Sequence, residues 1–324
     1  MFVTTVSHAL NGKGRLNAGT RRHVQEVADR LGYRPNPAAR SLVSGKTGLI
    51  AVMASLPIDP PVAFTEFAYY TELIGAASGA AVDRDYALVV APPSRSRFVW
   101  ERVPLDGVIV IDPLDGEPAL PILRERRVPF VTVGLDPRGH QLDAVVAADE
   151  ERATCSVLDH LRSRGAERIA LLSIPSVNAF VQDTLSCYGR WCERAGQAPA
   201  IEVMDVQALF RERDEVIADA ALRLVQQHGA DGLYAPIELV GVAVEHALVA
   251  RGVRIPEDVP LVTTHDAGKA AAASPPITTL EFDHKEEGRR AAELLMDLVE
   301  GRREPPIAEL VPTRVVERAS TARP

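Results

Sequence analysis

The chain has 324 residues, of which 46% are hydrophobic and 25% charged, and its net charge is −8 at pH 7. These values are ordinary for a globular protein and exclude a mainly disordered chain. The sequence contains no apolar run of about 18 residues, which excludes a conventional transmembrane helix, and the N-terminus lacks a signal-peptide pattern. We therefore expect a cytoplasmic protein.

The charges are unevenly distributed along the chain. Residues 1–46 contain eight lysines and arginines against two acidic residues, whereas the remainder carries 28 basic and 42 acidic residues. A small basic segment on an acidic body is typical of a nucleic-acid-binding protein, because phosphate contacts need only local positive charge. A solvated helical surface is the alternative explanation.

The basic segment has the pattern of short helices. The first is predicted from Thr4 to Leu10, and Asn17 is a plausible N-cap for the second, which ends at Gly32. A further short helical stretch is predicted over 37–43. The second helix carries one apolar stripe, formed by Val24, Val27, Ala28 and Leu31. This pattern suits part of a helix-turn-helix, and a simple helical hairpin fits it equally well.

From Gly48 onward, short apolar runs alternate with amphipathic segments. This alternation predicts an α/β fold with two doubly wound parallel sheets, divided near residue 147. The predicted strands are 49–54, 86–91, 107–111, 128–133, 168–173, 201–205, 231–235, 259–264 and 308–317. The predicted helices are 66–83, 117–126, 150–164, 179–195, 211–228, 238–251 and 284–300.

We find no motif for catalysis or metal binding in the sequence. The GKTG segment at 45–48 has Arg40 where a phosphate-binding loop needs glycine, and the eight histidines have no zinc-site spacing. Asp112 and Asp115 flank a proline and are interpreted as turn residues. Cys155, Cys187 and Cys192 are expected to be free thiols. The sequence therefore predicts a protein that is not an enzyme and uses no cofactor or metal.

Three motifs in this order are highly specific. They are TVSHALNG (5–12), GYRPNPAARSL (32–42) and RIPEDV (254–259). With LDGVIVID (105–112) and the segment 286–302, they make almost the whole chain resemble the LacI/GalR family. The resemblance implies a transcriptional regulator, most often a repressor, which binds a palindromic operator as a homodimer or tetramer. It also implies a small-molecule effector bound between two lobes similar to those of periplasmic sugar-binding proteins.

The resemblance implies three regions. These are a helix-turn-helix headpiece at 1–35, a hinge helix and linker at 36–47, and an effector-binding core at 48–324. We expect the chain to cross between the lobes near 147, 275 and 304. The N-lobe would then comprise 48–147 and 276–303, and the C-lobe 148–275 and 304–324.

The resemblance also implies which residues contact DNA. Val3, Thr4 and His8 match base-reading positions, and many members have arginine where His8 stands. A second group matches positions that hold phosphates or cap helices: Thr5, Ser7, Asn11, Asn17 and Thr20. The hinge-helix matches are Asn36, Ala39, Arg40 and Leu42, of which Leu42 matches a leucine that wedges into the minor groove. Purely structural roles are the alternative for each residue.

Two departures from the family bear on these expectations. Members have a first helix of some fourteen residues before the position of Met1, so we expect either an upstream start or a short form that binds DNA poorly. A ligand-sensing protein without effective DNA binding is therefore the alternative function. Residues 92–104 are shorter than usual and contain two adjacent prolines, which predicts a trimmed or lost helix there.

The cleft positions also differ from the family pattern. Thr184, Ile237, His265 and Phe282 stand where sugar-binding members carry charged or amide groups, so we expect a flat or apolar effector rather than an ordinary sugar. The stacking residues would be Tyr69, Tyr188 and Phe282. The polar contacts would be Asp183, Thr184, Glu238, His265 and Asp266. A degenerate cleft that binds nothing is the alternative.

Overall fold

The structure is a computed structural model that describes residues 3–10, 16–33, 45–55, 67–91, 98–139, 143–175, 178–237, 240–264 and 268–322. It contains two compact units, Met1–Gly48 and Leu49–Pro324. No helix in these ranges is both long and apolar enough to span a bilayer.

The first unit contains helices α1 (Val3–Leu10) and α2 (Ala18–Arg30), which pack against each other. The predicted cap is confirmed: the Asn17 side chain accepts a hydrogen bond from the Thr20 amide at 2.7 Å. The apolar stripe of α2 is only partly covered, because Val24 and Ala28 are buried whereas 74% of Leu31 is exposed. The predicted helical stretch at 37–43 lies outside the described residues.

The second unit contains two six-stranded sheets. The first sheet consists of parallel pairs in the order β11-β5-β4-β3-β1-β2, and the second has the order β12-β10-β9-β8-β6-β7, with only the β10–β12 pair antiparallel. The first sheet is formed by β1 (Leu49–Ala54), β2 (Ala87–Ala91), β3 (Gly107–Ile111), β4 (Phe130–Val133), β5 (Ala144–Ala148) and β11 (Ile307–Val311). The second is formed by β6 (Ile169–Ser173), β7 (Ile201–Val203), β8 (Gly232–Ala235), β9 (Leu261–Thr264), β10 (Thr278–Phe282) and β12 (Thr313–Val316).

Helices connect most of these strands, as right-handed crossovers in parallel sheets require. Those of the first half are α3 (Ala68–Val82), α4 (Phe98–Arg102) and α5 (Ala119–Arg126). Those that follow are α6 (Glu150–Ser163), α7 (Ala179–Ala195), α8 (Val206–Arg211), α9 (Arg213–Leu222), α10 (Val240–Val249), α11 (Lys269–Ala272) and α12 (His284–Val299). The five-residue α4 agrees with the shortened helix predicted over 92–104, of which 92–97 lie outside the described residues.

Helices α3 and α12 are in close contact in the second unit. A Cβ atom added at Gly288 in α12 would lie 2.1 Å from the carbonyl oxygen of Leu73 in α3. The two backbones touch because Gly288 has no side chain. Leu73 and Leu295 from this pair are fully buried with Ile50 and Ile109 of the first sheet, so α12 belongs to the core of the first half.

The lobe boundaries predicted from sequence need correction. The first crossing, expected near 147, follows β5 near residue 149. The second lies between Phe282 and His284 rather than near 275, because β10 pairs with β9 of the second sheet. The third lies between Val311 and Thr313 rather than near 304, because β11 pairs with β5 of the first sheet. The strand predicted over 308–317 is therefore two strands in different sheets, separated by Pro312.

Candidate functional site

The first unit contains the predicted DNA-contacting residues of α1. His8 is exposed and Thr5 half-buried, whereas the side chains of Val3, Thr4 and Ser7 lie outside the described part of the chain. The Asn17 side chain caps α2 by accepting from the backbone amide of Thr20, and Thr20 itself is half-buried. The remaining predicted DNA contacts lie outside the described residues: Asn11, Asn36, Ala39, Arg40 and Leu42.

A pocket lies in the second unit where the carboxyl ends of three strands of the first sheet meet the start of α7. Open sheets of parallel strands bind ligands at this edge. About 290 Å³ of space not filled by atoms lies in this pocket, which is open to solvent. Its lining residues are Asp112, Gly134, Leu135, Ala147, Glu150, Ala179, Phe180 and Asp183. A backbone bridge between Leu114 and Asn178 joins the two halves beside it.

Carboxylates dominate this cleft. Asp112 follows β3, Glu150 begins α6, and Asp183 lies in the second turn of α7. Burial, followed by the negative charge of Glu287, raises the pKa of Asp112 from 3.8 to about 7. Burial also raises the pKa of Glu150 well above its ordinary value, and the charges of Glu287, Asp112 and Asp183 add to that rise.

An aromatic cluster lies close to the carboxylates and connects the halves. The Phe282 and His284 rings are stacked at 5.7 Å, with 9° between their planes. Tyr69 meets His284 edge-on at 4.6 Å, and Phe180 meets Phe282 edge-on at 6.2 Å. Nδ1 of His284 lies 2.9 Å from Oε2 of Glu287. The Tyr69 hydroxyl hydrogen-bonds Asp112, and burial together with the charges of Asp112 and Glu287 raises the pKa of Tyr69.

The structure places three residues of the predicted effector site at or beside the cleft and one residue away from it. Tyr69, Phe282 and Asp183 lie at or beside the cleft. Tyr188 does not: its side chain is fully buried, and its hydroxyl donates to the Ile169 carbonyl at 2.8 Å and accepts from the Ala200 amide at 3.0 Å. Tyr188 is a core residue and cannot stack on a ligand in the cleft.

The other predicted polar contacts are Thr184 and a group of three further residues. Thr184 is buried next to Asp183, and its Oγ1 has no hydrogen-bond partner. Glu238, His265 and Asp266 lie outside the described residues. Cys155, Cys187 and Cys192 are free thiols as predicted, with Sγ of Cys155 2.8 Å from Sγ of Cys187.

Sequence reasoning missed the acidic character of the cleft. Asp112 was interpreted as a turn residue, and Glu150 and Glu287 were not singled out. The usable signal was position, because Asp112 comes directly after a wholly apolar strand and therefore at the ligand-binding edge. Its φ of 48° is a conformation that few residues other than glycine adopt, which also marks it as unusual.

We expect Asp112→Asn to stabilise the protein in a pH-dependent manner. The folded state retains a proton on Asp112 that the unfolded chain releases between pH 3.8 and about 7. This group therefore lowers the free energy of unfolding as the pH rises through that window. The melting temperature of Asp112→Asn should exceed that of the parent only slightly near pH 3.8, and the difference should grow until about pH 7.

Thermal unfolding of both proteins at several pH values measures this difference. Asp115→Asn is the matched control, because Asp115 lies on the same turn but is exposed and paired with Arg138 at 2.8 Å. If the melting temperatures of Asp112→Asn and the parent differ by the same amount at every pH in this range, the expectation is wrong.

The two-sheet core with an acidic and aromatic cleft between its halves defines a ligand-binding protein with two lobes. A family profile described as a periplasmic binding protein-like domain matches residues 158–321, just over half of the chain. The HTH-type transcriptional regulator CelR of Thermobifida fusca is 28% identical over 98% of this chain and 94% of its own length.

Solved structures agree with this similarity. A CelR–cellobiose complex aligns with a TM-score of 0.74 and 25% identity over 98% of this chain and 95% of its own. A lac repressor dimer bound to operator and the anti-inducer ONPF shares the fold, with a TM-score of 0.80 and 21% identity over 98% and 94% of the two chains. The chain belongs to the periplasmic-binding-protein-like family and, within it, to the LacI/GalR transcriptional regulators.

Proposed function

We propose that this regulator binds operator DNA through its N-terminal unit and releases or retains it according to a small-molecule effector in the cleft. The main support for this proposal is the lining of the cleft, which includes residues from both halves of the second unit. An effector that contacts both halves favours one arrangement of them over another, which is the requirement for coupling two sites.

The DNA-binding part of the proposal is supported by charge and by resemblance. Residues 1–46 carry a strong excess of positive charge on an otherwise acidic chain, and His8 on α1 is exposed. We further propose a cytoplasmic homodimer, because a palindromic operator requires two headpieces related by two-fold symmetry.

Selection of binding sites from a random DNA pool, followed by fluorescence anisotropy, tests this function. The chain as printed and a form preceded by the family's first helix are compared. We expect the extended form to bind a palindrome with a log–log salt slope of about −5 to −9. Leu42→Ala should weaken binding to it at least about tenfold by removing the wedge.

Leu31→Ala is the matched control, because Leu31 is an exposed leucine of the same unit. Light scattering of the same samples reports the expected dimer. If neither form selects a palindrome while small molecules still stabilise the protein, ligand sensing without DNA binding is the better function. Equal affinities of the Leu42→Ala and Leu31→Ala variants would contradict the wedge.

A further inference from the structure

The cleft brings several carboxyl groups together with little compensation from basic side chains in the described part of the protein. Asp112 has the Tyr69 hydroxyl as its hydrogen-bond partner, and the nearest charge acting on it is another carboxylate, Glu287. Every charge that acts on Glu150 is also a carboxylate. The residue that partly compensates Asp183 is Arg190, which is itself paired with Glu151 at 2.9 Å.

Unpartnered polar atoms accompany this charge. Oε2 of Glu150 is buried and has no hydrogen-bond partner. Two buried hydroxyls also have no hydrogen-bond partner. One belongs to Tyr234, in β8, and the other to Thr184, which follows the cleft residue Asp183 in the sequence. The Tyr234 hydroxyl lies close enough to Glu150 for that charge to raise its pKa. Buried polar atoms without partners are rare in folded proteins and mark positions that a bound molecule can satisfy.

The aromatic cluster supplies a complementary surface. Phe180 lines the pocket itself, and Phe282, Tyr69 and His284 continue from it. Aromatic faces attract cations through their quadrupole, and carboxylates attract them by charge. A site with both features suits a cation attached to an apolar or planar body.

We propose that the cleft binds an organic ammonium ion, with its nitrogen among Asp112, Glu150 and Asp183 and its body against the Phe180 and Phe282 rings. This inference rests on the proposed function in taking the cleft as the effector site. A bound cation would favour the ionised forms of Asp112 and Glu150, which burial and neighbouring carboxylates disfavour, whereas a neutral polyol would not. A metal ion is disfavoured, since the described residues contain no group of metal-ligating side chains with suitable geometry.

Matched ligand pairs that differ only by ammonium and hydroxyl test the proposal. The pairs are putrescine with 1,4-butanediol, phenethylamine with 2-phenylethanol, and glucosamine with glucose. Each is added to the full chain at about 10 mM, and thermal shift and calorimetry measure binding. We expect at least one amine to bind about tenfold or more tightly than its alcohol. The proposal is overturned if no amine binds, if each alcohol binds as well, or if CaCl₂ at equal ionic strength stabilises the protein as strongly.

A second measurement assigns binding to the cleft. Glu150→Gln should reduce the affinity for the amine at least about tenfold while leaving the protein folded. Glu215→Gln is the matched control, because Glu215 also lies in the first turn of a helix but is exposed. Equal amine affinities of the two variants would place the amine elsewhere and overturn the proposal.

The two proposals fail separately. An amine that binds in the cleft without changing operator affinity would contradict the proposed function and leave the ligand class intact. Cellobiose, the ligand in the CelR complex, is the informative neutral probe. If it binds in the cleft more tightly than any amine and changes operator affinity, the regulatory function holds and the ammonium assignment is wrong.

Discussion

Gly288→Ala is expected to destabilise the second unit by about 3 kcal/mol or more, the upper range for overpacking a core. The added Cβ would lie 2.1 Å from the Leu73 carbonyl oxygen and 2.9 Å from its carbonyl carbon. These are backbone atoms inside α3, so the clash can be relieved only by moving one helix away from the other. That movement would open the core formed around Leu73 and Leu295. Chemical unfolding of the purified variant measures the loss.

Gly79→Ala provides the matched control. Gly79 lies on α3, and nothing stands within 4 Å of the position its Cβ would take. Alanine is favoured over glycine inside a helix, so we expect this variant to be unchanged or stabilised by about 0.5–1 kcal/mol. If Gly288→Ala and Gly79→Ala unfold at the same denaturant concentration, the close approach of α3 and α12 is not present in solution.

Tyr188→Phe is expected to cost about 1–3 kcal/mol of stability without changing ligand binding, because it leaves the buried Ala200 amide without its partner. The Ala200 amide donates to the Tyr188 hydroxyl at 3.0 Å, and the hydroxyl donates to the Ile169 carbonyl at 2.8 Å. Both groups lie inside the second lobe, away from the cleft. The free energy of unfolding and the affinity for the amine identified above are the two measurements.

Tyr234→Phe makes the same chemical change at a second fully buried tyrosine. The Tyr234 hydroxyl has no hydrogen-bond partner, so its removal should change the stability of the ligand-free protein by no more than about 0.5 kcal/mol, or increase it. The same change should weaken amine binding. If Tyr188→Phe instead weakens amine binding and Tyr234→Phe lowers the free energy of unfolding, the roles assigned to these two residues are wrong.

Local features of the fold were predictable from the sequence because the responsible interactions are local. The Asn17 cap needs only the Thr20 amide three residues away. The apolar runs at 49–54 and 107–111 became strands with those limits, since parallel strands are buried on both faces and read as continuous apolar segments. The division into lobes expected near residue 147 was based on the same alternation.

Longer-range features could not be predicted in the same way. Residues 308–317 look like one strand, and only pairing with β5 on one side of Pro312 and β10 on the other shows two. A proline inside such a run was the available signal. The placement of Tyr188 was also recoverable, because Val181, Thr184, Tyr188 and Trp191 share helical spacing and all are buried.

The acidic cleft needed the three-dimensional arrangement. Asp112, Glu150 and Glu287 are far apart in sequence, and none of them belongs to a motif that marks a binding site. Their mutual repulsion exists because β3 and β5 end at the same edge of the first sheet and the helix that carries Glu287 packs against that sheet. The resemblance to relatives did not reveal this repulsion, since it compares single positions rather than the charge they create together.

The stack of Phe282 on His284 lies across the second connection between the lobes. Phe282 is the last residue of a strand in one lobe, His284 is the first residue of a helix in the other, and the single residue between them is Asp283, whose side chain accepts a hydrogen bond from the Glu286 amide. A rotation of one lobe against the other must therefore change the angle between the two rings. Because of the ring current of Phe282, the chemical shifts of the His284 imidazole protons depend on this angle. An NMR measurement of these shifts would therefore report how far the lobes rotate.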